Sequence, residues 1–401
     1  MLLDYDCVVI GAGLVGAAQA LALQRLGLKV AVVDSRRPFN AGTSSDARGL
    51  ALAPSSRQLF ETLNLWPSLS TRVNRIRHIH VSDQGRFGTT QLSADDVGIE
   101  ALGYVCPADH LLATLESALI DDSKVYWETA LDNVSRTSTA VKVHLRDANG
   151  DHQISARLVI GADGQHSKLR HLAGLISRNK DYRQSAIVAN LDLQYPQPET
   201  AFERFTRNGP LALLPLDHTR HVAVRCCANS DVESWLAMDD AEFLAELEIG
   251  FGHRFGSFSH LSPRSSHRLT LSWAPKIVAE RIALVGAAAN NIHPNGAQGL
   301  NLGLRDVSGL ASSIAQALDA STDIGGAQCL DAFSDRRRSD QRAVVGFTDS
   351  IAQLFTTSLP PIGVLRDLAM LALEVTPAAK HWLIRRATGA FDESLSRPSR
   401  L

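Results

Sequence analysis

Apolar residues run almost unbroken over residues 5–10 and again over residues 28–33, and between them residues 14–26 form an apolar stretch that stops at Gly27. Short unbroken runs are the pattern of strands buried on both faces, so the chain opens with a predicted strand, helix and strand. A third run, residues 281–285, ends at Gly286 and passes through turn residues into Leu300, Leu302, Leu304, Val307 and Leu310, whose spacing is helical. In the middle of the chain the period changes. Residues 186–193, 201–205, 211–214 and 222–226 alternate and are separated by turn signals such as residues 207–210, which predicts a sheet-rich region. Residues 75–81 and 89–92 alternate across the turn residues 83–88, a hairpin signal. Helices are predicted at residues 55–63, 111–119 and 239–251, and strands at residues 124–127, 140–145 and 158–160. The remainder is mostly helical, with predicted helices at residues 307–320, 329–352 and 363–374.

This order predicts an α/β protein: a Rossmann-like domain, an inserted β-sheet domain and a helical C-terminus. The boundaries fall at residues 1–72, 101–180 and 276–320 for the first domain, with hairpin 73–100 joining residues 181–275 as the inserted domain and residues 321–401 as the helical region. Composition narrows the partners. The 401 residues are 45% hydrophobic and 20% charged with a formal net charge of −2, which gives no reason to expect nucleic acid. Five cysteines, an odd number without a C-x-x-C, are expected as unpaired thiols in a reducing compartment, with no structural metal. No signal peptide is recognised and no apolar run approaches the roughly 18 residues of a membrane span. The expected location is cytoplasmic, or peripheral to the inner membrane.

Three glycine-bearing motifs carry the chemistry. Gly11-Ala-Gly13-Leu14-Val15-Gly16 follows the first strand and opens the first helix, and Asp34 closes the second strand 18 residues after Gly16. That is the dinucleotide fingerprint in context: Gly11 for the tight turn, Gly13 for approach of a pyrophosphate, Gly16 for helix–strand packing, and Asp34 for a ribose diol. Arg48, after the polar loop at residues 35–46, is either a ligand for a phosphate or flavin edge or a solvated loop charge. The second motif, Gly161-Ala-Asp163-Gly164, runs into a basic helix start at residues 167–170. The third spans Gly286 to Asp306 and contains His293-Pro294-Asn295-Gly296-Ala297-Gln298-Gly299-Leu300-Asn301. A glycine-rich turn feeding a helix start offers free N–H groups and the positive end of a dipole, although an ordinary strand–loop–helix connection has the same form.

The three motifs in this order resemble the flavin-dependent aromatic hydroxylases of the para-hydroxybenzoate hydroxylase type, over nearly the whole chain. Residues 81–85, 202–206, 209–215 and 301–306 look like the ubiquinone-biosynthesis hydroxylases, nearest the branch acting on 2-polyprenyl-6-methoxyphenol. The resemblance implies FAD held by Gly11, Gly13, Leu14, Val15, Gly16 and Asp34. Arg48 would lie by the flavin and pyrophosphate, with Asp163 and Gly164 approaching the pyrophosphate and implicated in nicotinamide-cofactor use. Gly286, Ala287, Pro294, Gly296, Gln298, Gly299, Leu300 and Asn301 would form the flavin loop. One position departs: the family usually has Asp or Asn after Gly286, to bond the flavin ribitol, and this chain has Ala287.

The implied activity is phenol hydroxylation with O2 through a flavin hydroperoxide, with NADPH or NADH as electron donor and a polyprenyl phenol as substrate. His293 is a candidate acid–base group and, equally, a structural residue of its loop. Ile187, Ala189, Leu191, Leu211 and Leu213 offer apolar faces for a prenyl channel or for a core. The apolar stripe from Phe347 through Ile351, Leu354, Phe355, Ile362, Leu365 and Leu368 reads as core, or as a face for a membrane edge or a quinone-biosynthesis protein complex. The alternatives are a hydroxylase of the same fold acting on another ring position or a soluble aromatic, a non-catalytic FAD-binding scaffold subunit, and a flavin dehydrogenase passing electrons to a quinone.

Overall fold

The computed structural model describes residues 3–39, 48–86, 88–122, 124–206, 209–292, 298–356 and 376–388. Tyr5–Ile10, Leu14–Arg25 and Val30–Val33 form the expected strand, helix and parallel strand. Both strands are almost wholly buried in their apolar residues, and Ala18, Leu21 and Leu23 bury the helix against them. The strand order is Ile282–Leu284, Gly150–Gly161, Tyr5–Ile10, Val30–Val33, Lys124–Tyr126, all parallel. The first strand thus has its sequence successor on one side and a distant segment on the other, which opens a crevice at its carboxyl end. Val33, Ile10, Gly161 and Leu284 stand in one row of the register. The three glycine-bearing motifs are therefore continuations of neighbouring parallel strands, and that is how segments far apart in sequence meet.

The second sheet runs Asn290–Asn291, Ser265–Trp273, Arg178–Leu193, Arg220–Ala228, Gly209–Pro215, Thr200–Thr206, His78–Asp83, Thr89–Ser93. Its pairs are antiparallel except Thr200–Thr206 with His78–Asp83. One face carries Ile187, Leu191, Leu211 and Leu213, packed under Phe243, Leu247 and Phe251 of the helix Asp240–Phe251. The opposite face carries Ala186, Val188, Ala212, Leu214, Val222 and Val224, and it walls a cavity. Of the two readings of the 187/191/211/213 face, the core is the one the structure adopts. Alternation defines two faces, but only the helix laid on one of them decides which is closed.

Strand boundaries differ from expectation in several places: the strand expected at residues 186–193 begins at Arg178, and Ser265–Trp273 was not expected. Residues 75–81 do not form one strand: Asn74–Ile76 pairs with Gly103–Pro107 in a small third sheet that also holds Gly49–Leu52, while His78–Asp83 belongs to the second sheet. The break comes at Arg77, where the N–H groups of Arg77 and His78 both donate to the Glu199 carbonyl at 2.8 and 3.1 Å. The short strand expected at residues 158–160 is the end of Gly150–Gly161, whose first half pairs with Val141–Asp147 as a hairpin arm that buries Val141, Val143, Leu145 and Ile154 on one face. Ala130–Arg136, beside that arm, shows a single fully buried residue and so carried no apolar pattern to read.

Gln298–Asp319 and Ala327–Thr356 are the long C-terminal helices, followed by Pro377–Thr388. The helix expected at residues 363–374 lies outside the described residues, as do the side chains of the apolar stripe from Ile351 to Leu368. No described helix is long and apolar enough to cross a membrane. All five cysteines are buried and unpaired.

Candidate active site

The first motif forms an open cradle. Gly11 N–H donates to the Val33 carbonyl at 2.7 Å, and Ala162 N–H to the Ile10 carbonyl at 2.8 Å, so the sheet ladder continues into the loops. Gly11 has φ +102°, and a Cβ there would meet the Ala162 carbonyl oxygen at 2.5 Å. A Cβ on Gly16 would stand 1.9 Å from the Gly11 carbonyl oxygen. Gly13 is different: nothing lies within 4 Å of where its Cβ would be. The helix Leu14–Arg25 begins there with no side-chain cap and no acidic residue in its first turn. Its free N–H groups and dipole face open space, the arrangement that receives a pyrophosphate. The residues present fit FAD at this point.

Asp34 is tied to that cradle. Its Oδ2 accepts from Ala12 N–H at 2.6 Å and its Oδ1 from Arg36 N–H at 2.9 Å. Arg36 Nε also stands 3.4 Å from Oδ2, and Oδ1 keeps a second lone pair for a ribose hydroxyl. Arg36, to which no sequence signal drew attention, donates to the Ala12 carbonyl at 2.6 Å, pairs with Glu116 and lies 5.2 Å over the Trp127 ring. Arg48 precedes Gly49–Leu52 and lines the cavity.

In the second motif the Asp163 carboxylate accepts from Ser167 Oγ at 2.5 Å and from Leu169 N–H at 3.1 Å. It shapes the turn into the helix Lys168–Leu172, while Ala162 and Gln165 reach the cavity. Gly164 has φ +83° in that turn. The buried Arg170 donates to the Ala288 carbonyl and to the Gln165 carbonyl, both at 2.7 Å, and so joins the second motif to the third.

The third motif is held from behind. Gly286 turns with φ +61°, and its N–H donates to Asp306 Oδ2 at 3.1 Å. The fully buried Asp306 also accepts from Arg337 Nε at 2.8 Å and Gln341 Nε2 at 2.9 Å. Burial pushes the Asp306 carboxyl up, and Arg337, Gln341 and the Gly286 N–H oppose that. Gly303 lets the helix come close: a Cβ there would meet Val15 at 2.8 Å and Gly286 Cα at 3.0 Å. The Asn301 side chain accepts from Ala53 N–H and Ser56 Oγ, both at 2.7 Å, and donates to the Ala51 carbonyl at 2.9 Å. It thereby anchors the strand that follows Arg48. Gln298 is buried at the start of the helix, Gly299 and Leu300 line the cavity, and Ala287 is exposed to it. His293, Pro294 and Gly296 lie outside the described residues.

The cavity has a volume of about 660 Å³. Gly13, Leu14, Val15, Arg48, Ala287, Gly299 and Leu300 form one end, and the apolar face of the second sheet forms the wall opposite. Glu203 stands on that wall among Ala201, Ala212 and Val224. Among the described residues it has no hydrogen-bond or ion-pair partner, and burial pushes its carboxyl up to about 7. The residue sits within 202–206, one of the stretches that carry the resemblance, but nothing there assigned it a role; its own signal was an acid inside an alternating strand, on the same face as Ala201 and Phe205.

Residues 4–348 match the model of the family described as FAD binding domain. The ubiquinone hydroxylase UbiL of Rhodospirillum rubrum is 32% identical over 390 residues, covering 96% of this chain and 89% of that protein. The 3-demethoxyubiquinol 3-hydroxylase of Escherichia coli is 28% identical over 389 residues, covering 96% and 98%. Among solved structures, the p-nitrophenol 4-monooxygenase PnpA of Pseudomonas putida shares the fold, with a TM-score of 0.78 at 17% identity, covering 97% of this chain and 99% of that one. With a cradle that fits FAD, an apolar cavity beside it and a family match over most of its length, this chain belongs to the FAD-binding domain family and is an FAD-dependent aromatic monooxygenase similar to the ubiquinone hydroxylases.

Proposed function

We propose that the protein hydroxylates a polyprenylated phenol, 2-polyprenyl-6-methoxyphenol, in ubiquinone biosynthesis, with O2 as co-substrate and NADPH or NADH as electron donor. The observation that carries this reading is the cavity of about 660 Å³, apolar along most of its wall and opening at one end onto the cofactor cradle. When bound, reduced FAD supplies an activated oxygen atom derived from O2. The chain's own residues bind and orient. The N–H groups around Gly13 would take the pyrophosphate, Asp34 the ribose, and Arg48 a phosphate or the flavin edge. Ala186, Val188, Leu214 and Val222 would hold the ring and the start of its prenyl chain, and their apolar surface would exclude water from the reacting centre.

The test is turnover of 2-geranyl-6-methoxyphenol by FAD-loaded protein under labelled O2. One labelled atom should appear in the ring hydroxyl. Water-derived oxygen, or turnover of small unprenylated phenols alone, would overturn the assignment.

Ala287 gives a separate prediction. It is exposed to the cavity at the Gly286 turn, where a polar side chain would reach a ribitol hydroxyl. Such a bond contributes about 0.5–1.5 kcal/mol, so its absence should weaken FAD by about two- to tenfold. Wild-type protein is expected to purify partly flavin-free, and Ala287→Asn to bind FAD more tightly in a fluorescence-quenching titration. Equal affinity in the two proteins would mean that no contact is made there.

A further inference from the structure

Among the described residues the cavity lining holds one carboxyl group, and none of them neutralises it. Glu203 lies at the centre of Thr200–Thr206, with Val81 beside it on one neighbouring strand and Ala212 on the other. Beyond Ala212 the same row continues as Val224 and Val188, so the carboxyl projects from an apolar surface into the cavity. An isolated carboxylate in such a place costs free energy unless something that binds there repays it. No backbone N–H, amide or guanidinium of the described residues does so.

The groups that face it are few. The strand Gly209–Pro215 carries no titratable residue. From Arg220–Ala228 comes Cys226, whose thiol burial pushes up, so it stays neutral. From His78–Asp83 comes Asp83, which is engaged with Arg86 at 3.8 Å. Arg48, His267 and Arg268 line other parts of the cavity, and Arg268 is paired with Asp181 at 2.6 Å.

We propose that Glu203 is a catalytic residue that receives the phenol hydroxyl of the substrate: its carboxylate accepts the O–H as a hydrogen bond and takes the proton as the ring becomes nucleophilic. The inference rests on the phenol reading above. The balance is a proton transfer alone. The substrate O–H bond breaks, the proton forms a new O–H bond on a Glu203 carboxylate oxygen, the electron pair stays on the substrate oxygen as phenolate, and nothing is oxidised or reduced. A base that titrates near the working pH combines a sufficient ionised fraction with enough basicity, and the carboxyl at about 7 meets that condition. The apolar residues around the carboxyl offer it no donor of their own, so a phenol seated against this wall would supply one.

The test uses FAD-loaded protein without reductant, and equilibrium dialysis of two probes, 2-geranyl-6-methoxyphenol and its methyl ether. The ether has the same shape and no O–H to donate. Wild-type affinity for the phenol should rise as pH increases through about 7, while affinity for the ether, which brings no donor, does not rise. Glu203→Gln should bind the phenol about tenfold more weakly above that pH, lose the pH response and bind the ether as the wild type does. Flavin content and Tm should not fall, because the variant removes a buried charge and keeps its volume. If it nevertheless folds poorly, Glu203→Asp should bind the phenol more weakly and keep the pH response. A flat wild-type profile, an unchanged phenol affinity in Glu203→Gln, an equal loss for phenol and ether, or an Asp variant without the response would overturn the assignment. Wild-type protein that binds neither probe at any pH would overturn the polyprenyl-phenol reading itself, and the role of Glu203 with it.

Discussion

Replacing Asp306 by alanine is expected to lower stability by about 3–5 kcal/mol and to release FAD along with it. Asp306 is fully buried and Arg337 is 1% exposed, with Nε 2.8 Å from the carboxylate. Alanine leaves a guanidinium in the interior with its main counter-charge gone; Asp340, 2.7 Å from Nη2 and one-third exposed, offsets only part of that. It also removes the acceptor for Gly286 N–H and Gln341 Nε2, and an unsatisfied buried donor costs about 1–3 kcal/mol. The Gly286 turn is one side of the cofactor cavity, so the loss should be visible twice: as a fall in Tm of apo-protein and as weaker FAD in a fluorescence titration. Asp306→Asn, which keeps an acceptor oxygen, should fall between the two. Adding Arg337→Met to Asp306→Ala should recover part of the stability, because the stranded charge is then gone. A loss under about 1 kcal/mol in Asp306→Ala would show that Asp340 alone suffices for Arg337.

The second large effect separates two glycines of one motif. Gly16→Ala should be damaging whether or not FAD is present, since its Cβ would stand 1.9 Å from the Gly11 carbonyl oxygen and the obstacle is backbone. Overpacking of this kind costs about 1–3 kcal/mol or more, and here it also displaces the turn that forms the cradle. Gly13→Ala should leave apo-protein within about 1 kcal/mol of wild type, because nothing lies within 4 Å of the added carbon. It should nevertheless weaken FAD by at least about tenfold, since the methyl group occupies the space a pyrophosphate needs. The pair is read by Tm of the apo-proteins and by FAD titration. A Gly13→Ala protein with full FAD affinity would place the pyrophosphate elsewhere.

Local pattern sufficed wherever a property depended on neighbours in sequence. The runs at residues 5–10 and 28–33 with GxGxxG between them determined a βαβ unit, because burial on both faces and a tight turn are demands of the segment itself. The same holds for the helices at Pro54–Thr62 and Asp240–Phe251, whose starts carry a proline and a capping aspartate. Resemblance along the chain added the FAD family. What the sequence left undecided were the properties that depend on what lies opposite. Residues 187, 191, 211 and 213 alternate like residues 186, 188, 212 and 214, and only the helix Asp240–Phe251 makes the first set core and the second a cavity wall. Residues 75–81 read as one strand until the Glu199 carbonyl splits them between two sheets.

The polar residues show the same division. Asp34 was legible because it ends a strand, while Asp306, Arg337 and Arg170 were not, since their partners come from other elements and no spacing announces a buried pair. Glu203 is the extreme case. An acid in an alternating strand is ordinarily solvated, and only the placement of Glu203 on the cavity face of the second sheet, with Val81 and Ala212 beside it, turns it into a group whose charge is costly. Sequence determines which residues can form an element; the dielectric around a side chain is set by everything packed against it, and that is a property of the tertiary structure alone.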